Sequence, residues 1–359
     1  MQYLSSGEEG WEQAEARDID LVSNLTSFYD LNITAVQTKA QSGQEGAECC
    51  IVFAEEGIFR LYLQENRECT LTLLRVWEYL QAEGFSRLAA LQPTSGGDIA
   101  ISLDDRLAYL AEELEGRPAE LAVQRDAVEI GRCLGELHVL SQDVLPVLQG
   151  VLGGTMLLKP SLNAQREDLD LFHTMARHRL YPTGFDLLFV RIYDGAARLA
   201  DQSLRLLSGF PLEELENDSR WAGLLLGICQ GRTFRVNDEG IPRLPCLNRI
   251  TWGLYLWDLV TLLDSVGRYT DWSTAAAHRV LDFYRGVRCL HPGEMELMYG
   301  LSMFPKEIWE IGYDYYKGRR QQGEPEAAKM LRQAWEKTIR RSEYWRLLLG
   351  DELEYENSH

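Results

Sequence analysis

Along the first third of the chain apolar and polar residues alternate in short runs, and beyond Pro118 apolar residues recur every three or four positions over long stretches. Side chains repeat every two residues on a strand and every 3.6 on a helix, so the first pattern predicts strands and the second helices. Residues 1–18 follow neither period and read as an acidic tail. Leu21, Val22, Leu25 and Phe28 then share one face of a short helix over Ile19–Tyr29. Asn32–Lys39 is a β-branched run, and Cys49–Ala54 and Ile58–Leu63 pair as a hairpin across Glu55, Glu56 and Gly57. Glu68–Glu83 sets Leu71, Leu74, Trp77 and Leu80 on one broad face and stops at Gly84, a residue type that favours helix ends. Strands are predicted at Leu88–Leu91 and Ile99–Leu103, with Arg106–Leu110 behind them. A sheet of about five strands with one inserted helix therefore takes the chain to residue 115.

After Pro118 the period predicts helices over Val128–Leu140, Leu169–Arg179, Asp186–Leu207, Leu254–Val266, Thr274–Tyr284, Pro292–Leu301, Lys306–Lys317 and Glu324–Leu349. One small β region, Leu224–Cys246, lies among them. The expected fold class is α+β and bilobal. A small antiparallel sheet lobe occupies 19–115 and a larger, mainly helical lobe 116–359, behind the tail at 1–18.

Composition narrows the partners. Of 359 residues 45% are hydrophobic and 25% charged, which is ordinary for a globular protein. With 36 Lys and Arg against 55 Asp and Glu the formal charge is -19, so neither nucleic acid nor an anionic membrane surface is an expected partner. No apolar run approaches the roughly 20 residues that cross a bilayer; Trp221–Cys229 reads as a buried strand. The acidic start is unlike a secretory signal, so the protein is expected to be made and kept inside a cell. Seven cysteines form no CxxC pair and read mostly as small buried apolar residues, with Cys49 and Cys50 left open to intermolecular disulfides.

Other chemistry is sparse. His173 and His178 stand five apart, the wrong step for a helical metal pair, and no metal site is expected. His138, at a predicted helix end, reads as a structural hydrogen-bonding residue. No GxSxG nucleophile elbow occurs, and QGVLGGT at 149–155 matches neither glycine pattern that cradles phosphate. Trp252, Tyr255, Trp257, Trp309, Tyr315 and Tyr316 have the helical spacing of core residues. Lys329, Arg332, Lys337, Arg340, Arg341 and Arg346 give the last helix a mixed-charge face; an acidic first lobe and this basic tail would permit head-to-tail association of copies.

Six segments carry a resemblance: RVWEYLQAEGF (Arg75–Phe85), YLAEELEGRP (Tyr109–Pro118), LGELH (Leu134–His138), LYLWDLVTLL (Leu254–Leu263), RVLDFYRGV (Arg279–Val287) and LSMFPKEIWEIGYDYY (Leu301–Tyr316). In order and spacing the chain resembles the CotS-like spore coat proteins of endospore-forming bacteria, over 30–348. That family is similar to the aminoglycoside phosphotransferase and choline kinase group, which implies a protein-kinase-like bilobal fold. It also implies synthesis in the mother-cell cytoplasm, incorporation in the spore coat and other coat proteins as partners.

Phosphoryl transfer in such folds needs a lysine on the third strand, an aspartate that orients the acceptor, and Asn and Asp ligands for magnesium. Active relatives carry HGD, then an Asn opening a strand, an acidic-Gly turn and D-x-D. Here the stretch is ICQGRTFRVNDEGIPRLPCLNR. Matching the turn NDEG (Asn237–Gly240) sets Gln230, Gly231 and Arg232 where HGD stands, Thr233 at the metal asparagine, and Cys246 and Asn248 in the D-x-D segment. A second register would keep Asn237 as the metal ligand. In either register a guanidinium replaces the acceptor-orienting carboxylate and a thiol replaces the magnesium carboxylate. Arg60 falls near the phosphate-binding lysine, and Glu113 in the hinge segment completes the degenerate cleft positions.

The leading expectation is a non-catalytic, kinase-like coat protein with no cofactor, acting through protein contacts. Two alternatives remain open at this point. One is an active small-molecule phosphotransferase with atypical residues; the other is a metal-independent nucleotide or anion-binding module using Arg60, Arg232 and Arg235.

Overall fold

The computed structural model describes residues 25–38, 48–103, 105–143, 158–227, 233–247, 250–318 and 323–356. Packing divides the chain into two compact units, Met1–Ala119 with Arg232–Ile250, and Glu120–Gly231 with Thr251–His359. The expected tail at 1–18 and most of the helix at 19–29 lie outside the described residues; 25–28 is helical.

The first unit is built on an antiparallel sheet of β1 (Ile33–Thr38), β2 (Glu48–Ala54), β3 (Gly57–Gln64), β4 (Leu91–Gln92), β5 (Ile101–Leu103) and β6 (Arg106–Glu112). The order is β1-β2-β3-β6-β4, and β5 pairs with β6. The predicted hairpin forms, with Ala54 opposite Gly57 and Cys50 opposite Leu61. Alternation along β3 sends Leu61 and Leu63 into a core with Leu25, Tyr29, Val36, Val52, Ala108 and Leu110. Helix α1 (Arg67–Ala82) is capped by Asn66, whose Oδ1 accepts from the Cys69 N–H at 3.1 Å. It buries Leu73, Leu74, Val76, Trp77 and Leu80. Full burial of such a side chain contributes about 1.5–3 kcal/mol each.

A second, three-stranded sheet of this unit joins β7 (Arg117–Pro118) to β9 (Arg235–Val236) and β10 (Pro242–Arg243). Its close backbone approach requires Gly116, which has φ +115°; a Cβ there would lie 2.2 Å from the Val236 carbonyl oxygen. The Leu244 N–H donates to the Arg87 carbonyl at 2.6 Å, and the Ala89 N–H to the Leu244 carbonyl at 2.9 Å. Residues 233–247 thus pack with the N-terminal strands, although the sequence pattern groups them with the helices.

The second unit contains α2 (Gln124–Leu140), α3 (Leu158–His178), α4 (Gly184–Ser208), the short α5 (Leu212–Leu215), α6 (Tyr255–Tyr269), α7 (Thr274–Arg285), α8 (Glu294–Met303), α9 (Lys306–Tyr316) and α10 (Glu324–Glu356). Two strands, β8 (Ala222–Leu225) and β11 (Thr251–Leu254), pair antiparallel. The one β region expected at Leu224–Cys246 is therefore divided: β8 pairs with β11 in this unit, and β9 and β10 belong to the first. Helix α6 is buried over most of its circumference and packs against α2, α7, α8 and α10. Helix α4 opens with a capping box between Thr183 and Asp186. Phe185, Phe189, Tyr315, Tyr316 and Phe172 stack into an aromatic core, in keeping with the spacing.

The charges of α10 are largely paired, Lys337 with Glu307, Arg341 with Asp264 and Arg346 with Glu343. Among the described cysteines only Cys50 and Cys133 are buried; Cys69 and Cys246 are half-buried and Cys289 is exposed, so burial is less general than composition suggests. Among the described residues no helix is long and apolar enough to cross a membrane.

Candidate functional site

On β3 the residues that alternate with the core-facing leucines are Arg60 and Tyr62. They share a face with Tyr109 and Ala111 of β6, their cross-strand partners, and α1 covers that face by setting Trp77 edge-on to Tyr109. Arg60 is held there as a fork: its Nε lies 2.6 Å and its Nη2 2.7 Å from the two carboxylate oxygens of Glu113. Tyr62 is 4% exposed and stacks on Tyr109, with ring centroids 4.9 Å apart and an angle of 16°. Its hydroxyl donates to the Pro245 carbonyl at 3.2 Å. Burial raises the Tyr62 phenol well above its ordinary range, so it remains a neutral donor.

Strand β3 contains no lysine. The buried face of α1 holds Thr70 and apolar residues, without a carboxylate; Glu68 and Glu78 are exposed.

The NDEG segment forms the turn between β9 and β10. Asn237 closes it, accepting from the Ile241 N–H through Oδ1 at 2.8 Å and donating its own N–H to the Ile241 carbonyl at 3.2 Å. The Asn237 side chain is thereby committed to the turn. Thr233 precedes β9 and Cys246 follows β10, both half-buried. Gln230, Gly231, Arg232 and Asn248 lie outside the described residues. Arg235 lines a recess of about 380 Å³ together with Glu56, Glu112, Glu113 and Glu115. Arg243 also faces it and is bridged to Glu112 at 2.8 Å. Carboxylates outnumber guanidiniums here, a poor setting for a polyanion.

In the second unit, Asp258 in the first turn of α6 is fully buried. Its two oxygens accept from the backbone N–H groups of Leu226 at 2.6 Å and Gly227 at 3.0 Å, fixing the chain as it leaves β8. His138 packs beside it, with Nε2 3.6 Å from Asp258 Oδ2 and Nδ1 2.8 Å from the Tyr284 hydroxyl. Burial pushes the His138 pKa down. Arg288 and Glu294 form a buried ion pair at 2.8 Å in the same polar cluster, and Arg288 also contacts the Tyr284 hydroxyl. His173 stacks on Tyr193 and His178 bonds the Thr174 carbonyl, a helix-surface arrangement for both. Among the described residues no group of three His, Cys, Asp or Glu side chains comes together to hold a metal ion.

No family model and no curated protein matches the sequence. Solved structures do. An aminoglycoside phosphotransferase from Alicyclobacillus acidocaldarius superposes with a TM-score of 0.73 at 18% identity, covering 92% of this chain and 95% of its own. A spectinomycin phosphotransferase solved with ADP and spectinomycin gives 0.63 at 14% identity, covering 91% and 99%. A microcompartment-associated aminopropanol kinase gives 0.56 at 14%, covering 93% and 98%. The fold is that of the aminoglycoside phosphotransferases.

Within this phosphotransferase-like fold the structure brings Arg60 and Glu113 together, and holds Cys246 one residue beyond the carbonyl that Tyr62 bonds. Two residues that matter went unread in the sequence. Tyr62 stands beside the only cation of β3, and its partners Tyr109 and Pro245 are distant in sequence, so local pattern gives no sign of it. Asp258 did leave a signal, a lone acid inside the apolar run LYLWDLVTLL.

Proposed function

We propose that this chain is a kinase-like protein that does not transfer phosphoryl groups, and that it serves as a structural component of a bacterial spore coat. The observation that carries the first half is the α1-facing side of β3. A kinase-type site uses a β3 lysine paired with a carboxylate of the following helix to hold nucleotide phosphates. Tyr62 and a Glu113-bridged Arg60 occupy that face instead, and α1 offers no buried acid. The thiol of Cys246 and the hydroxyl of Thr233 do not make a magnesium site either, since that ion takes hard oxygen ligands, commonly carboxylates. Magnesium-ATP thus finds no ordinary ligand set among these described residues.

The coat role is supported by the six segments that resemble CotS-like proteins and by the acidic composition, which suits protein partners over nucleic acid or membrane. On this reading the chain is made in the mother-cell cytoplasm and deposited on the forespore, bound to other coat proteins. A fluorescent fusion in sporulating cells is expected to form a ring on the forespore. Calorimetry with ATP and magnesium is expected to give no heat of binding; tight, magnesium-dependent binding with turnover of an amine or alcohol acceptor overturns the non-catalytic reading.

The runner-up is an active small-molecule phosphotransferase. The solved neighbours are named as phosphotransferases and kinases, and Asp258 still anchors the strand end that leads into 228–232, which favours it. The fork between Arg60 and Glu113 speaks against the third reading, an anion-binding module, because its guanidinium is already neutralised.

A further inference from the structure

Helices α4 and α10 pack side by side in the second unit. At their first turns the Phe185 N–H donates to the Glu324 carboxylate at 2.9 Å, and farther along the Trp335 ring lies on Gly195, so the two helices run parallel. Equal intervals on the two therefore stand abreast. On α4, Arg191, Arg198 and Arg205 are seven apart and share one exposed face, at about 10 Å per step. On α10, Arg332, Ile339 and Arg346 are also seven apart and exposed. Arg191 and Arg332 both lie about one turn before the contact of Gly195 with Trp335, so the two rows border the solvent side of one seam. Their charges are unevenly spent. Among the described residues no ion pair engages Arg191, Arg198, Arg205 or Arg332; Arg198 donates to the Asp194 main-chain carbonyl at 3.1 Å. The exposed carboxylates beside the rows are Asp194, Glu336 and Glu343, and Arg346 already holds Glu343 at 2.6 Å. The seam thus keeps a positive excess on a chain whose formal charge is -19. Two large apolar side chains stand open on it, Leu187 at 63% and Ile339 at 49% exposure.

We infer that this seam docks the acidic segment 8–18 of a second copy of the chain. That segment offers Glu8, Glu9, Glu12, Glu15 and Asp18 against the one cation Arg17, with Trp11 among them. Its carboxylates meet the unpaired arginines, and its indole meets Leu187 and Ile339. Copies of so acidic a chain repel one another on average, and a basic seam facing an acidic segment turns that repulsion into attraction at one orientation. A single exposed ion pair contributes little, so several form together and salt weakens the contact. Seam and segment are different surfaces, which makes the contact heterologous: each added copy leaves one seam and one segment free, and the row extends. The choice of a second copy rests on the proposed structural role, which needs contacts from chain to chain. Association is measured on purified protein and localisation in sporulating cells, so failure of one is distinguishable from failure of the other.

The test is sedimentation velocity of the full chain at about 100 μM, in about 50 mM and about 500 mM salt. The wild type is expected to associate in the dilute salt, with affinity falling at least about tenfold in the concentrated one. One variant neutralises the seam (Arg191→Gln, Arg198→Gln and Arg205→Gln), and a second neutralises the segment (Glu8→Gln, Glu9→Gln, Glu12→Gln and Glu15→Gln). Each alone is expected to be monomeric. Mixed, they retain one intact seam and one intact segment on different molecules and are expected to form one-to-one dimers that grow no further. A monomeric wild type, association that persists unchanged in the concentrated salt, or association of either variant alone overturns the proposal. So does a mixture that stays monomeric, the outcome if the segment docks on its own molecule.

Discussion

Tyr62 lies flat against Tyr109, 4.9 Å between ring centroids, in the middle of the sheet face that α1 covers. Tyr62 also bonds Pro245 from the loop after β10, so one side chain links β3, β6 and the returning segment of the first unit. Tyr62→Phe is expected to cost about 1 kcal/mol, the worth of one hydrogen bond. Tyr62→Ala is expected to cost about 3–5 kcal/mol by emptying a buried aromatic site. Urea unfolding of both variants measures the two steps; coinciding curves for Tyr62→Ala and wild type would show that the stack holds nothing.

Two glycines of similar backbone conformation should respond differently to alanine. Gly84 has φ +86° with nothing within 4 Å of an added methyl, whereas at Gly116 the methyl meets the Val236 carbonyl at 2.2 Å. Gly84→Ala is expected to cost about 1 kcal/mol from left-handed strain alone. Gly116→Ala should cost well over twice as much and separate β7 from β9, which hydrogen exchange at Val236 and Arg235 reports.

His138 makes stability depend on pH. It faces Asp258, Tyr284, Tyr255, Arg288 and Glu294, and burial lowers its pKa from the ordinary 6.5. As pH falls through 6.5 the unfolded chain takes up a proton that the folded one refuses. Its stabilising contribution is therefore complete above that pH and is lost toward the lower, folded pKa, at up to about 1.4 kcal/mol per pH unit. Unfolding midpoints at pH 7.5, 6.5 and 5.5 should fall more steeply for wild type than for His138→Gln. Parallel slopes in the two proteins would remove His138 from the explanation.

Arg288 and Glu294 are 2% and 0% exposed and pair at 2.8 Å. Glu294 also accepts from the His291 N–H at 2.6 Å, and Arg288 donates to the Arg220 carbonyl at 2.9 Å. Glu294→Gln strands a buried guanidinium and is expected to cost about 3–5 kcal/mol. Replacing both by Met and Leu should cost less than the sum of the single changes, and a double-mutant cycle by chemical denaturation checks this.

What could be read in the sequence follows the length of each signal. The hairpin Cys49–Ala54 and Ile58–Leu63, helix α1 and helices α7 and α9 are long enough for their periods to show. Strands β7, β9 and β10 have two residues each, and β11 has four; such runs have almost no period, and pairing with distant segments defines them. Helix α3 starts at Leu158, well before the apolar repeat that marks Leu169 onward, because its first turns contain polar residues. At the candidate site, Arg60 and the turn at Asn237 were legible from residue type and spacing. The bridge to Glu113 and the stack of Tyr62 were not, since both depend on the register of β3 against β6.

The first unit is interrupted in sequence by Glu120–Gly231, more than a hundred residues that belong to the second. A ribosome adds on the order of 5–20 residues per second, so the sheet of β1 to β6 waits on the order of ten seconds for β9 and β10. During that interval Gly116, Glu112 and Tyr62 are without Val236, Arg243 and Pro245. The nascent N-terminal part therefore reaches its final packing only after a large share of the second unit has been synthesised, and a chain truncated before residue 232 should be a preferred target for chaperones and proteases.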